Sequence, residues 1–183
     1  MVLVGVTPKN DILYSTTFAK GDPAWKQIDG KLKNVCYSNK QLAGVNSLGD
    51  IYYTNNYTNP DWKQIPGNLS QLSFDGYDMV IVGVSPKDDL IYSTTFATGD
   101  PAWKQIYGKL TNVSYSNKQL AGVNSLGDVY YANNYTNPDW IQIPGNMLKL
   151  SFEASGNPAA AAAQPQAKSK SKPKPKPKAK TKK

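Results

Sequence analysis

The sequence contains neither histidine nor arginine, and Cys36 is the single cysteine among its 183 residues. Without histidine the chain cannot form a Ser-His-Asp triad, a Cys-His pair or a histidine metal site, and without arginine it has no guanidinium to clamp a phosphate. One cysteine is too few for a disulfide framework or a structural zinc site within one chain. Ser114 stands at the corresponding position of the second half of the sequence, which indicates that Cys36 is a small strand residue. We therefore expect no enzymatic activity, no cofactor and no metal site.

Long hydrophobic runs are also absent. No apolar run approaches the roughly 20 residues of a membrane-spanning helix, so we expect no membrane span. Residues 1–6 form a short, uncharged apolar start that is unlike a signal peptide. Together these features favour a cytoplasmic or particle-associated protein, although they leave the compartment unknown.

Positive charge is concentrated at the end of the chain. Up to residue 157 the sequence has 12 lysines against 13 acidic residues, whereas the last sixteen positions hold nine lysines. Residues 154–183, called the tail below, consist mainly of Lys, Pro and Ala and lack the apolar residues needed for a core, which predicts disorder. Such a tail can bind polyanions such as nucleic acid, an acidic glycan or an acidic protein surface, with strong salt dependence. A solubilising role or a nuclear-address run are the competing interpretations. The predicted polyanion-binding residues are Lys168, Lys170, Lys172, Lys174, Lys176, Lys178, Lys180, Lys182 and Lys183.

The rest of the sequence is repetitive. Residues 4–78 and 82–156 align at an offset of 78 with 57 of 75 positions identical, and a weaker repeat of 37 to 39 residues lies inside each half. The four tryptophans mark one repeat each and are more simply explained by packing between repeats than by ligand binding: Trp25, Trp62, Trp103 and Trp140. The body of the chain therefore consists of four repeats of about 39 residues.

Each repeat is predicted to form four short strands. Residues 32–37, 41–46, 50–54 and 61–65 alternate apolar and polar residues or are rich in β-formers, and Gly- or Pro-containing turns separate them. Units of about 40 residues with four strands are typical of β-propeller blades. We predict an all-β propeller domain over residues 1–153 with blades at about 4–43, 44–81, 82–121 and 122–153.

The ends of this domain are predicted to meet. Residues 147–152 repeat the strand that precedes the Gly-Val strand in the other units, whereas the N-terminal unit lacks that strand. We therefore predict that residues 147–152 complete the N-terminal blade and remove an open sheet edge. Four blades in one ring and two chains sharing an eight-bladed ring both remain open, so a homodimer or a larger assembly is compatible with the sequence.

The repeated motif Trp-x-x-Ile-x-Gly-x-Leu, followed by Gly-Val-Asn and Asp-x-Ile-Tyr, resembles the tectonin repeat of slime-mould tectonins, fish-egg lectins and related lectins. Its copies start at Trp25, Trp62, Trp103 and Trp140, and the fourth copy has Met147 in place of Leu. The resemblance covers roughly residues 2–153. It implies a β-propeller that binds sugars or bacterial and cell-surface polysaccharide without catalysis.

Two copies of the loop Asn-Asn-Tyr-Thr-Asn-Pro are the predicted ligand-binding segments. Aromatic rings stack on the apolar faces of sugars, and Asn amides can both donate to and accept from hydroxyl groups. A plain polar hairpin loop is the alternative interpretation. The candidate residues are Asn55, Asn56, Tyr57 and Asn59 in the first copy and Asn133, Asn134, Tyr135 and Asn137 in the second.

Two functions follow from these features. The first is a non-enzymatic, lectin-like propeller whose polybasic tail attaches it to polyanions. The second is a structural or assembly protein of a large particle, such as a virion, or of a matrix. In that case the propeller would be a packing module and the lysine tail its anchor.

Overall fold

The computed structural model describes residues 1–21 and 23–152 and shows an all-β chain. The predicted tail and its nine lysines lie outside the described residues. Within these residues, fifteen strands form four antiparallel sheets, A to D, in chain order. No helix among the described residues has the length and apolar character needed to cross a bilayer.

The strands of each sheet are consecutive in the sequence. Sheet A contains β1 Leu3–Val6, β2 Asp11–Ser15 and β3 Lys26–Lys31. Sheet B contains β4 Asn34–Ser38, β5 Gln41–Val45, β6 Ile51–Thr54 and β7 Lys63–Ile65. Sheet C contains β8 Gln71–Asp75, β9 Val80–Val84, β10 Asp89–Ser93 and β11 Lys104–Lys109. Sheet D contains β12 Asn112–Ser116, β13 Gln119–Val123, β14 Asp128–Ala132 and β15 Ile141–Asn146. Short 3-10 turns at Phe18–Lys20 and Phe96–Thr98 interrupt the long loops of sheets A and C.

Turn chemistry explains why the strands fold back on themselves. In sheet B, the Asn46 side-chain oxygen accepts hydrogen bonds from the backbone N–H groups of Leu48 and Asp50, at 2.9 Å each. Gly49, inside the same turn, has a φ of +88°, which suits a residue without a Cβ. Asn124 makes the same two bonds in sheet D, so each repeat brings its own hairpin signal.

The hydrophobic core lies between the sheets. Each sheet packs face to face on the next, A on B, B on C and C on D, and the buried residues form one cluster at each of these three joints. The second strands of the complete sheets, β5, β9 and β13, carry long runs of buried residues because both of their faces are covered. This is the arrangement of propeller blades that the repeat length predicted, and the all-β, four-blade prediction is confirmed.

The predicted phase of the blades and the closure of the domain differ from the observed arrangement. Each complete sheet starts one strand before the predicted boundary, so sheet B spans 34–65 rather than 44–81. Sheet A has three strands, and β1 pairs with β2 alone among the described residues. Residues 147–152 form no strand; they lie along β12 of sheet D, where Leu150 N–H donates to the Asn112 side chain at 2.9 Å. Among the described residues, 147–152 do not pair with β1, so the predicted closure is not formed.

Candidate functional site

Three of the four tryptophans join adjacent sheets through the same contact. Each lies just before the last strand of its sheet, and its indole N–H donates to a backbone carbonyl of the preceding sheet or of the residues just after it. Trp62 donates to Asp29 at 2.6 Å, Trp103 to Pro66 at 2.7 Å and Trp140 to Tyr107 at 2.7 Å.

A glycine follows each accepting residue and makes room for the ring. A Cβ built on Gly30, Gly67 or Gly108 would lie 3.0, 2.8 or 2.8 Å from the indole nitrogen of the tryptophan above it. All three glycines also have positive φ, so both the backbone conformation and the close approach of the ring require glycine. The Trp-x-x-Ile-x-Gly motif is thus a two-part joint in which one repeat supplies the ring and the repeat before it supplies the seat.

Beside two of these joints the surface opens into a cleft. Cleft 1, between sheets A and B, has a volume of about 250 Å³. Cleft 2, between sheets C and D, has a volume of about 220 Å³. The lining of cleft 1 is Gly30, Lys31, Leu32, Asn46, Tyr52 and Trp62. The lining of cleft 2 is Gly108, Lys109, Leu110, Asn124, Tyr130 and Trp140. Every position matches its counterpart at an offset of 78, so the molecule carries one site twice.

Charge in both clefts is balanced by an adjacent carboxylate. The Lys31 ammonium lies 2.6 Å from an oxygen of Asp11, and the Lys109 ammonium lies 3.1 Å from an oxygen of Asp89. The hydrogen bond from Lys31 lowers the pKa of the Asp11 carboxyl. Each cleft therefore presents an anchored ammonium with little net charge, which suits hydroxyl ligands better than strongly anionic ones.

The aromatic groups of the clefts have defined roles. Trp62 is half-buried and its N–H is already bonded within the protein, which leaves ring surface for apolar contact. The hydroxyl of Tyr52 makes no hydrogen bond to a described residue and remains free to donate or accept. The Asn46 oxygen is occupied by its turn, and its amide nitrogen donates to Asp50 at 2.9 Å, so one amide hydrogen is left for a ligand. An aromatic face beside donors and an acceptor is suited to a sugar ring.

The joint between sheets B and C has different chemistry at the same positions. Asn68 replaces Lys31, Ser85 replaces Asn46 and Ile91 replaces Tyr52. Ile91 packs against the buried cluster of that joint, so the aromatic ring and hydroxyl of the clefts have no counterpart there. The sites thus alternate along the row of sheets.

The predicted ligand-binding tyrosines lie in the joints. The Tyr57 ring packs edge-to-face on Tyr14 and Tyr37, with centroids 5.1 and 5.3 Å apart. Tyr135 packs in the same way on Tyr92 and Tyr115, at 5.0 and 5.2 Å. Desolvation raises the pKa of both Tyr57 and Tyr135. Both rings therefore serve as wedges between sheets, which limits the surface that they can offer to a ligand.

The asparagines of the predicted loops remain at the surface. Asn55, Asn59, Asn133 and Asn137 are exposed. Asn56 and Asn134 are exposed as well, and their side-chain oxygens accept hydrogen bonds from the threonine two residues later, so they organise their own loops. The structure does not bring these residues together with the tryptophan clefts into one site.

Sequence reasoning missed the cleft residues Lys31, Asn46, Tyr52 and their second-half counterparts. Each occupies an ordinary strand or turn position, and the cleft arises only where two sheets meet. The available signal was the alternation itself: Lys, Asn and Tyr recur at an offset of 78 but not of 39.

Solved structures with the same architecture include proteins of very different sequence. The crystal structure of human WBSCR16 matches with a TM-score of 0.53 at 13% identity, over 78% of this chain and 50% of that chain. The computationally designed Ika8 protein matches with a TM-score of 0.60 at 10% identity, over 84% and 50%. The structure of U3-55K matches with a TM-score of 0.57 at 10% identity, over 75% and 44%. This chain thus spans about half the length of each of these structures, and the likeness concerns the fold alone.

No curated protein matches the sequence. The family model of the tectonin domain, however, matches residues 1–160, which includes all four sheets and all four tryptophan motifs. The chain therefore belongs to the tectonin domain family.

Proposed function

We propose that this tectonin domain is a non-enzymatic carbohydrate-binding protein and that clefts 1 and 2 are its binding sites. The observation that carries the proposal is the duplication of one chemically specific cleft. Tryptophan and tyrosine rings, an anchored lysine and a turn asparagine occur together twice, whereas the intervening joint lacks three of these four groups. Stacking on an aromatic ring combined with a few fixed donors and acceptors is an effective way to hold a sugar.

The size of the clefts limits the ligand. Their volumes of about 220 and 250 Å³ lie below the ~300–1,000 Å³ of pockets that enclose drug-sized molecules. A single sugar ring, such as the end of a cell-surface or bacterial polysaccharide, suits this space better than a long chain segment. The pairing of each cleft lysine with an aspartate favours a neutral sugar.

Two equivalent sites on one chain allow bridging. A polysaccharide with repeated ends can engage both clefts, and the second contact then benefits from a high effective concentration. The expected result is weak binding of a free sugar and much tighter binding of a surface that displays it.

The test is a glycan array followed by titration calorimetry with the full chain and the best free ligand. We expect two equivalent sites per chain.

Variants of the clefts test where the sugar binds. Tyr52→Ile and Tyr130→Ile each place in one cleft the residue type found at Ile91, and each should remove one site. The double variant should bind no sugar. Ile91→Val, at the same strand position of the remaining joint, is the matched control and should keep both sites. Absence of glycan binding by the full chain, or undiminished binding by the double variant, contradicts the proposal.

Attachment of the tail to polyanions is a second proposal, favoured by the nine lysines of residues 168–183. Each lysine that contacts a phosphate releases a counterion, so the logarithm of affinity for duplex DNA should fall with the logarithm of salt concentration, with a slope of up to about −8. A 1–157 truncation should lose this binding and keep sugar binding. If the full chain binds only acidic targets, and does so only through its tail, the assembly function replaces the lectin function.

A further inference from the structure

One tryptophan and one glycine of the joint motif do not meet a matching glycine or tryptophan among the described residues. Trp25 of sheet A is 48% exposed, and its indole makes no hydrogen bond to a described residue. Gly145 of sheet D has the positive φ of the other seats, at +153°, but a Cβ built on it would meet nothing closer than Val129 at 3.8 Å. Half of a joint therefore lies at each end of the row of sheets.

The joint between sheets B and C shows how these halves would fit. At an offset of 78, sheet D corresponds to sheet B, and sheet A corresponds to sheet C. Trp25 thus corresponds to Trp103, and Gly145 corresponds to Gly67, its seat. The internal B–C joint is a template for a joint of sheet D with sheet A.

On sheet D, residues that match buried positions of the template are exposed. Ile143 is 42% exposed, whereas its counterpart Ile65 is 2% exposed. Met147 is 47% exposed, whereas its counterpart Leu69 is 1% exposed. At two further positions, which are exposed in the template, sheet D and the segment after it carry apolar side chains: Ile141 stands for Lys63 and Leu148 for Ser70. Sheet D is thus apolar at the matched buried positions and has additional exposed apolar side chains beside them.

Sheet A shows the complementary difference. Leu3 is 43% exposed, whereas its counterpart Ile81 is fully buried. Phe18 is only partly buried, whereas its counterpart Phe96 is wedged against Tyr53 of sheet B, with ring centroids 5.1 Å apart. The apolar side chains on the two ends thus match the two sides of one packed joint.

Residues 149–152, which lie along sheet D, correspond to the strand that sheet A lacks among the described residues. In the template, β8 lies along sheet B and pairs with β9, and Leu72 N–H donates to Asn34 at 3.2 Å. Residues 149–152 correspond to β8 and lie along sheet D in the same way, with Leu150 N–H on Asn112 at 2.9 Å. β1, the counterpart of β9, has one edge that pairs with no described strand, and such an edge is a template for strand addition.

We propose that two copies of this chain join head to tail, each sheet D packing on sheet A of the other copy, and close one ring from their eight sheets. Residues 149–152 of each copy then become the fourth strand of sheet A of the other. The β8–β9 register places Ser151 opposite Val4 and Phe152 opposite Leu3. Trp25 lies over Gly145 of the second copy and donates to the carbonyl of Pro144.

The length of the matching solved structures favours a closed ring of two copies over an open polymer of many copies. This joint is heterologous, so it either closes a ring or extends indefinitely. The solved structures that match this chain align with it over 50%, 50% and 44% of their length, so two copies supply the length of one of them. The ring carries four clefts, two from each copy. The proposed assembly is independent of whether these clefts bind sugar.

Analytical ultracentrifugation of the full chain tests the assembly. Wild type should sediment as a dimer of the 20.0 kDa chain. Trp25→Ala removes a central aromatic anchor and should weaken dimerisation on the order of 30-fold or more. Tyr107→Ala, at a residue that is 85% exposed in sheet C, is the control and should leave it unchanged. Circular dichroism should show the same β spectrum for all three proteins. A monomer at every concentration, or polymers without a fixed mass, overturns the proposal.

Cysteine cross-linking tests the register. In a Cys36→Ser background, the pair Val4→Cys and Ser151→Cys should oxidise to a covalently closed dimer. The pair Val4→Cys and Leu150→Cys should not, because successive side chains of a strand point to opposite faces. Oxidation of the first pair within one chain would show that the chain closes on itself and would overturn the exchange of strands.

Discussion

All three joints contain the same contact of a tryptophan on a glycine, but the side chains beside it differ. The B–C joint is filled with apolar residues, whereas the other two joints carry the clefts. Between sheets B and C, Ile91 and the wedge residue Phe96 complete an apolar cluster. Between sheets A and B, Tyr52 lines a cleft and Tyr57 is the wedge. The comparison shows that the same tryptophan contact can recur in every joint while the neighbouring side chains form either core or candidate binding surface.

The wedge residues also differ in burial. Phe96 is 2% exposed and packs edge-to-face on Tyr53 and Phe74, whereas Tyr57 is only half-buried. Edge-to-face pairs add about 0.5–1.5 kcal/mol beyond their buried area. Both wedges therefore stabilise the protein, and the B–C wedge does so more.

Removal of the wedges should produce the largest effects on stability. Phe96→Ala should lower the free energy of unfolding by about 3–5 kcal/mol, because it leaves a cavity between two sheets. Tyr57→Ala should lower it by about 2–3 kcal/mol, since its ring is less buried. Urea denaturation measures both, and Tyr107→Ala at the surface should stay within about 0.5 kcal/mol of wild type. An unchanged stability of Tyr57→Ala would return this residue to the role of an exposed ligand platform.

Alkaline pH should lower the free energy of unfolding by a smaller amount, and the thiol of the B–C joint should titrate before the tyrosines. Desolvation raises the pKa of the Cys36 thiol, in the B–C joint, from 9.0 to about 11. Between these values the unfolded chain releases the thiol proton while the folded chain retains it, so stability falls as pH rises, by about 2–3 kcal/mol in total. Desolvation also raises the pKa of Tyr57, Tyr115 and Tyr135 in the other two joints and of Tyr53 in the B–C joint, so a further loss of stability is expected above about pH 10.

Urea titrations at pH 8, 9, 10 and 11 distinguish the two windows. Cys36→Ser installs the residue found at position 114 and should remove most of the fall between pH 8.5 and 10. A decline of the same size in this variant would assign the effect to groups other than the thiol.

Transfer of the cleft residues should have the smallest effect on stability and the sharpest effect on binding. The triple variant Asn68→Lys, Ser85→Asn and Ile91→Tyr gives the B–C joint the residues of clefts 1 and 2. Asn68 is exposed and Ser85 is partly exposed, whereas Ile91 is partly buried against the B–C cluster, so the loss of stability should stay near the low end of the roughly 1–3 kcal/mol that overpacking costs. Calorimetry with the ligand of the natural clefts should then report three sites per chain instead of two. A count of two would mean that the cleft needs more than these side chains.

Much of the fold was readable from local patterns. The offset of 78 predicts the repeats, and the alternating strands and glycine-containing turns predict the hairpins, because strands and turns depend on residues close together in the chain. The candidate site was less accessible. Tyr57 was selected as a ligand platform from its polar neighbours, whereas its surroundings are set by Tyr14 of the preceding sheet, a contact that no local pattern encodes.

The sequence by itself determined the repeat, the all-β architecture and the recurring tryptophan and glycine, since these follow from periodicity and backbone preference. Tertiary structure alone decided which aromatic rings are wedges and which line clefts, because that depends on two sheets packing face to face. It also decided that Trp25 and Gly145, which belong to the same motif as their buried counterparts, lie at opposite ends of the row. Burial is a property of neighbouring sheets, so two nearly identical halves of one chain have different surfaces.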